Sequence, residues 1–317
     1  MTACALCGSR DLRKLAGRLR HGPGTVLVCD SCGLGMLEAG SGDLREFYDG
    51  DYRKKFGPEL NRVSDYREIF EAYVPFQAHR IELLRPFLGP KTRLLEVGCS
   101  TGHFLYHARD LVGEAVGVDY DSGAAKYAAE RCGVTTYGRD LRETPLEPGS
   151  FDVVCAIQTM EHVPDPVGFA QMLGGYLKRD GTLYIEVPNL ADPLMALYDN
   201  QAYRDFYFHE AHLLYFTGRS LATVMERAGF AGKTVFFQDY NLMNHLHWLF
   251  LDRPQPSCAE GLGPARLPLK VPPDQPVRED LDAFVERADR EYRSILASHG
   301  YTDNMAFIGG FSPRKGA

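Results

Sequence analysis

The apolar positions of this chain fall into two alternating rhythms. Short, nearly continuous apolar runs span Arg93 to Val97, Ala115 to Asp119, Phe151 to Ile157 and Gly181 to Asn189. Such runs suit strands buried on both faces. Between them apolar residues recur at helical spacing: Phe104, Leu105, Ala108 and Leu111 up to Gly113, Ala124 to Cys132 behind Asp121 and Ser122, and a proline-started segment at Pro166. This alternation predicts a parallel sheet with helices on both faces. Further along, Thr217 caps a helix carrying Leu221, Val224 and Met225 that stops at Gly229, and Lys233 to Phe237 is another strand. Leu281, Phe284, Val285, Ala288, Tyr292, Ile295 and Leu296 predict a long amphipathic helix ended by Gly300. Met305 to Gly309 is placed to be the last, antiparallel strand.

Three regions follow. Residues 1–40 hold two Cys-x-x-Cys knuckles, 41–90 form an aromatic-rich helical linker, and 91–317 form the sheet domain, with a proline-rich irregular insertion at 252–278. In the linker, Phe70, Tyr73 and Val74 predict one helix, and Ile81, Leu83 and Leu84 a second ending at Pro86. Phe47, Tyr48, Tyr52, Phe56, Tyr66 and Phe76 add rings that either pack on the sheet or form a lid over a bound ligand.

Composition narrows the class. With 317 residues, 44% of them hydrophobic, the chain is long enough for one large core and a small satellite. No stretch approaches the roughly 20 apolar residues of a membrane helix, and no apolar signal core opens the chain, so a cytoplasmic protein is expected. The net charge of −7 argues against a sequence-independent grip on nucleic acid. Cys4, Cys7, Cys29 and Cys32, each pair followed by a glycine, predict a closed, structural Cys4 zinc site rather than disulfides.

The chemistry centres on Leu94-Leu-Glu-Val-Gly-Cys-Ser-Thr-Gly-His-Phe-Leu105, which reads as strand, glycine turn and helix. A dinucleotide fingerprint would place glycine where Ser100 and His103 stand, and a P-loop needs Gly-Lys-Ser/Thr, which is missing here. Asp119 ends the next strand a little over twenty residues after Glu96, the spacing of a ribose-binding acid. Gln158-Thr-Met-Glu161-His162 follows the strand at Phe151 to Ile157, and Phe206-Tyr-Phe-His209-Glu210-Ala-His212 lies beyond the strand at Gly181 to Asn189. His209 and His212, three apart, would share a helical face, and with His245 and His247 a metal site is conceivable there.

The pattern Glu-x-Gly-x-Ser-x-Gly at Glu96 to Gly102 resembles motif I of the class I S-adenosylmethionine-dependent methyltransferases, with Ser100 in place of the middle glycine. With the paired Cys-x-x-Cys, the chain is similar to the zinc-ribbon methyltransferases of sugar and natural-product biosynthesis. His212, Tyr215, Phe216 and Thr217 match the signature of their sugar C-methyltransferases, while Ala211 stands where those carry glutamate. The resemblance implies a seven-stranded Rossmann-like sheet with helices on both faces. It implies a cofactor site of Glu96, Gly98, Ser100, Gly102, Phe104, Asp119, Tyr120, Asp140, Leu141 and Gln158, with Asp140 toward the adenine. The expected reaction is methyl transfer to a small-molecule acceptor, O-methylation ahead of C-methylation. His162, His209 or His212 would be the general base and Glu161 or Glu210 its orienting partner. An RNA methyltransferase and a non-catalytic cofactor-binding protein are the alternatives, and the oligomeric state stays open.

Overall fold

The computed structural model of the protein describes residues 3–38, 57–60, 62–270 and 274–313. Phe47, Tyr48, Tyr52 and Phe56 lie outside them. The cysteine-bearing segment forms β1 (Leu12–Leu19), β2 (Gly22–Cys29) and β3 (Gly35–Glu38). Helices α1 (Tyr66–Tyr73) and α2 (Ala78–Leu84) lead into β4 (Arg93–Val97), α3 (His103–Ala108), β5 (Glu114–Asp119), α4 (Ser122–Cys132) and β6 (Thr135–Gly138). Next come β7 (Phe151–Ile157), α5 (Pro166–Tyr176), β8 (Leu177–Pro188), α6 (Pro193–Ala196), α7 (Gln201–Tyr207), β9 (Leu214–Tyr215), α8 (Gly218–Arg227) and β10 (Phe230–Phe237). The chain closes with α9 (Leu242–Leu251), α10 (Cys258–Leu262), α11 (Gln275–His299) and β11 (Asn304–Phe311).

Seven strands form one sheet in the order β10-β11-β8-β7-β4-β5-β6. Strands β4 to β8 run parallel, and β11 is antiparallel to both neighbours, as the sequence predicts. Strand order reverses around β4, whose carboxyl end therefore opens onto a crevice. Both faces of the sheet are covered: Leu95, Val97, Val154 and Ile185 belong to one apolar cluster, Leu94, Val153, Cys155 and Tyr184 to the other. Thr217 caps α8 reciprocally with Ser220, an arrangement that contributes about 1 kcal/mol.

Two expectations change. The 252–278 stretch is less irregular than its prolines suggest, since it contains α10 and the first turn of α11, where Pro276 is the second residue and its missing amide costs nothing. The ribbon is also not a satellite. β3 pairs with β9, so a four-stranded sheet β1-β2-β3-β9 runs from the cysteine segment into the catalytic body. Cys4, Cys29, Leu34 and Met36 share the apolar cluster of Leu183 and Phe216.

Candidate active site

A cleft of about 1200 Å³ lies along the carboxyl edge of the sheet. That exceeds the roughly 300–1,000 Å³ of an ordinary small-molecule site, so a nucleoside and a second molecule fit together. At one end the turn after β4 is left-handed at Gly98, Ser100 and Gly102, with φ of 82°, 48° and 82°. A Cβ at Gly98 would lie 2.1 Å from Thr159 Oγ1, and one at Gly102 2.8 Å from Cys132 Sγ, so neither position accepts a side chain. Ser100 bears a left-handed conformation that disfavours side chains by roughly 1–2 kcal/mol; its amide donates to Asp119 Oδ2 at 2.7 Å. The other oxygen of Asp119 accepts the Asp121 amide at 2.8 Å, which fixes the carboxylate at the cleft edge.

Glu96, next to last in β4, is almost fully buried, and its Oε2 has no hydrogen-bond partner. Burial, and then the charge of Asp119, push its carboxyl well above the usual range. An orphaned acceptor facing a cleft is a place for a ligand's hydroxyl or ammonium donor. Phe104 and Leu141 supply apolar wall beside it. Asp140 is more committed than expected: Arg142 chelates it with contacts of 3.0 and 2.6 Å, and Tyr120 donates to it at 3.0 Å. The Arg142 bonds hold Asp140 down at about 2. Gln158, at φ 50°, donates to Asn304 Oδ1 at 2.8 Å and to Glu186 Oε1 at 3.2 Å. Glu186 is gripped by Arg80 of α2 at 2.8 and 2.5 Å, which pins the linker helix to the floor of the cleft. Glu96, Asp119 and the glycine turn together fit S-adenosylmethionine.

Midway along the cleft His162, His209 and His212 line the wall. His209 and His212 share no helix, contrary to their spacing. They lie in a turn after α7 in which the His212 amide donates to the His209 carbonyl, and their ring centroids are 4.0 Å apart. The Tyr215 hydroxyl clamps this turn, accepting from the His209 amide at 3.1 Å and donating to its carbonyl at 3.0 Å. His162 Nδ1 donates to the Ala211 carbonyl at 2.8 Å, so Nε2 is in acceptor form. Glu161 sits behind the rings, 1% exposed, with neither oxygen hydrogen-bonded. Its Oε1 is 3.8 Å from His162 Nε2 and 3.9 Å from His212 Nε2. Burial drives these groups apart: Glu161 rises to about 8, His162 falls to about 4, and His209 and His212 fall well below their usual value. The cluster therefore keeps both its imidazoles and its carboxyl in their uncharged forms near neutral pH. Ligand atoms of Glu161, His162 and His212 all lie within 4.8 Å of one another, a set that can also hold a divalent cation. Glu210 stands apart, 3.3 Å from His21.

Elsewhere the cleft is lined by Arg20 and His21 of the β1–β2 turn, Asp192, Tyr203 and Phe206, and Tyr240, Asn244, His245 and Trp248, of which the sequence singled out only Phe206 and His245. Their only local signal is aromatic density; what unites them is long-range packing. His245 joins no metal cluster among the described residues and is held by Tyr292 at 2.6 Å and Gln238 at 3.2 Å. Away from the cleft, the thiols of Cys4, Cys7, Cys29 and Cys32 lie within 4.8 Å of one another, with Cys4–Cys32 and Cys7–Cys29 at 3.5 Å. Sulfurs about 2.3 Å from a tetrahedral zinc stand ~3.8 Å apart, so the four thiols fit that ion.

A family model described as a methyltransferase domain matches residues 66–235, more than half of the chain. The protein belongs to the class I S-adenosylmethionine-dependent methyltransferases. A ubiquinone biosynthesis O-methyltransferase from Xanthomonas campestris is 30% identical over 114 residues, covering 34% of this chain and 48% of that protein. The enzyme of the same name from Methylococcus capsulatus is 28% identical over 145 residues, covering 43% and 60%. The chain thus spans about half the length of the relatives it matches. An S-adenosylmethionine-dependent methyltransferase from Archaeoglobus fulgidus shares the fold, with a TM-score of 0.50 and 20% identity over 77% of this chain and 97% of that one. Among the described residues no helix is long and apolar enough to cross a membrane.

Proposed function

We propose that the cleft methylates a small-molecule acceptor, a sugar nucleotide or natural-product intermediate, at oxygen in preference to carbon. The observation that carries this reading is the histidine–glutamate cluster, set on the same sheet edge as the glycine turn and its two acids. S-adenosylmethionine supplies, when bound, an electrophilic methyl on a cationic sulfur. Glu96 and Asp119 accept its polar hydrogens, Phe104 and Leu141 cover its apolar parts, and the turn at Gly98 to Gly102 admits close backbone approach. An acceptor hydroxyl must lose a proton, and neutral His162 and His212 are in a form to take it. Glu161, behind the rings at 3.8 Å from His162 Nε2 and 3.9 Å from His212 Nε2, orients them. The same deprotonation fits both ubiquinone-type O-methylation, named for the relatives above, and C-methylation at an acidic carbon. Zinc on the four cysteines is structural, because four thiolates leave no open position.

A second reading is favoured by the unbonded Glu161 oxygens: a divalent cation on Glu161, His162 and His212 that polarises the acceptor hydroxyl. Treatment with EDTA followed by manganese alone separates the two. Manganese enters a mixed imidazole–carboxylate set more readily than four soft thiolates, so turnover restored by manganese assigns a cation to this cluster. The primary reading is tested by incubating the enzyme with methyl-labelled S-adenosylmethionine and a panel of nucleotide sugars and hydroxylated aromatic acids. It expects a product one methyl heavier in mass spectrometry, with the label on oxygen; no transfer to any of these acceptors would overturn it.

A further inference from the structure

We infer that two copies of this chain pair through α11, laid antiparallel about a two-fold axis close to Phe284.

Helix α11 is 25 residues long, yet only Val285, Asp289 and Leu296 are buried in it. Its other apolar positions make a second stripe. Val277, Leu281, Phe284, Ala288 and Ile295 follow the alternating spacing of a coiled-coil seam, with Glu291 at the one polar step. Val277, Phe284 and Ile295 are 50%, 58% and 53% exposed, and Leu281 and Ala288 are half-buried. A helix on the surface of a lone domain needs one apolar face, the one toward its core. A second apolar face along its length calls for a second surface to cover it.

Charge selects that surface. Arg278 reaches Asp282 at 3.2 Å and Arg293 reaches Asp289 at 2.8 Å, both within the helix. Asp280 and Arg287 are exposed and join no ion pair among the described residues. They stand seven residues apart on one flank of the seam, Asp280 before Phe284 and Arg287 after it. The other flank is spent on the body: Val285 is buried, and the Tyr292 hydroxyl meets His245 Nδ1 at 2.6 Å. A two-fold axis across the helix turns one copy end for end and sets like flank against like flank. With that axis near Phe284, each Asp280 meets Arg287 of the second copy, and the ion pair forms twice. A parallel pair would instead press the charged flank against the flank already occupied by the body. An anionic membrane is a poorer occupant of the stripe, because α11 carries six acids to four arginines. The pairing also bears on the cleft. Asp289 accepts the Leu242 amide at 2.7 Å at the start of α9, the helix of His245 and Trp248, so a braced α11 braces that wall.

The experiment measures the mass of the full chain by sedimentation equilibrium over a wide range of concentrations. It compares the wild type, Phe284→Asp, Asp280→Arg, Arg287→Asp and the double variant Asp280→Arg/Arg287→Asp, with circular dichroism to check the fold of each. The wild type is expected to dimerise. Phe284→Asp should weaken the dimer at least tenfold, the loss expected for an aromatic at the centre of an interface. Each charge reversal alone sets like charges across the axis and should weaken it several-fold, and the double variant should regain the wild-type constant. If Phe284→Asp fails to fold, the charge variants decide, since both positions are exposed. A wild type that stays monomeric throughout overturns the pairing, and binding of that monomer to phosphatidylglycerol vesicles would give the stripe to a membrane. A dimer indifferent to Phe284→Asp lies on another surface and overturns it as well. A double variant no better than the single reversals overturns the antiparallel arrangement.

Discussion

At the glycine-turn end of the cleft, Glu96, Gly98, Gly102 and Asp119 come from a single β4–α3–β5 unit, within a few turns of chain. At the other end Arg20, His162, His212 and Trp248 come from four distant stretches, brought together by the β3–β9 pairing and by the Leu213 amide, which donates to the Glu161 carbonyl at 2.9 Å. The first end is a local device: strand, turn and helix position their own polar groups, so it tolerates damage elsewhere. The second is a tertiary device that exists only while ribbon, histidine turn and helix α9 stay docked. Under the proposed function the local device takes the cofactor, which the family shares, and the packed one takes the acceptor, which it does not.

That contrast is sharpest in the ribbon. Cys4→Ser removes one thiolate from a site whose metal contributes on the order of 10 kcal/mol in isolated zinc modules. Elemental analysis should find one zinc per wild-type chain and substantially less in the variant. Turnover should be lost as β3 releases β9 and the histidine turn, yet affinity for S-adenosylhomocysteine should stay within a few-fold. Equal loss of both would mean that the two ends are not independent.

A smaller, local break is His212→Asn. If this ring takes the acceptor proton, kcat should fall by roughly 10²–10⁴ with the cofactor affinity unchanged. His162→Asn should act in the same direction, since its ring faces the same carboxyl. Wild-type turnover by both variants would remove the cluster from the reaction.

What the sequence disclosed follows the same division. The strands at Arg93 to Val97, Ala115 to Asp119 and Phe151 to Ile157, the caps at Asp121 and Thr217 and the antiparallel strand at Met305 to Gly309 were legible because each depends on neighbours a few residues away, while the count of seven came from the family resemblance. The glycine turn was legible for the same reason. The histidine turn was misread as a helix because spacing of three mimics one, while Tyr215, six residues further on, is what fixes it. Arg20 and Trp248 carried no signal: the hairpin turn touches Phe206 across 186 residues of sequence, and no local pattern encodes that contact.

The smallest effect concerns His245, which belongs to the packed acceptor half. Burial pushes its imidazole down to about 3, and Gln238 donates to Nε2, so the folded protein holds it neutral. The unfolded chain takes up that proton below a pH of about 6.5, so stability is full at neutral pH and declines as the pH falls toward 3. The slope reaches about 1.4 kcal/mol per pH unit for this group alone. The buried His162, His209 and His212 push the same way. His245→Asn should flatten the fall of Tm between pH 7 and 5; an unchanged slope would show that His245 does not contribute to it.

The division of the cleft is tested most directly by calorimetric titration of S-adenosylhomocysteine into the wild type, Asp119→Asn and His212→Asn. Asp119→Asn should bind at least tenfold more weakly, in line with the roughly 1.5–3 kcal/mol of hydrogen bonds to a charged group, while His212→Asn should bind as the wild type does. Wild-type affinity in Asp119→Asn, or a comparable loss in His212→Asn, would contradict the assignment of the glycine-turn end to the cofactor and the histidine end to the acceptor.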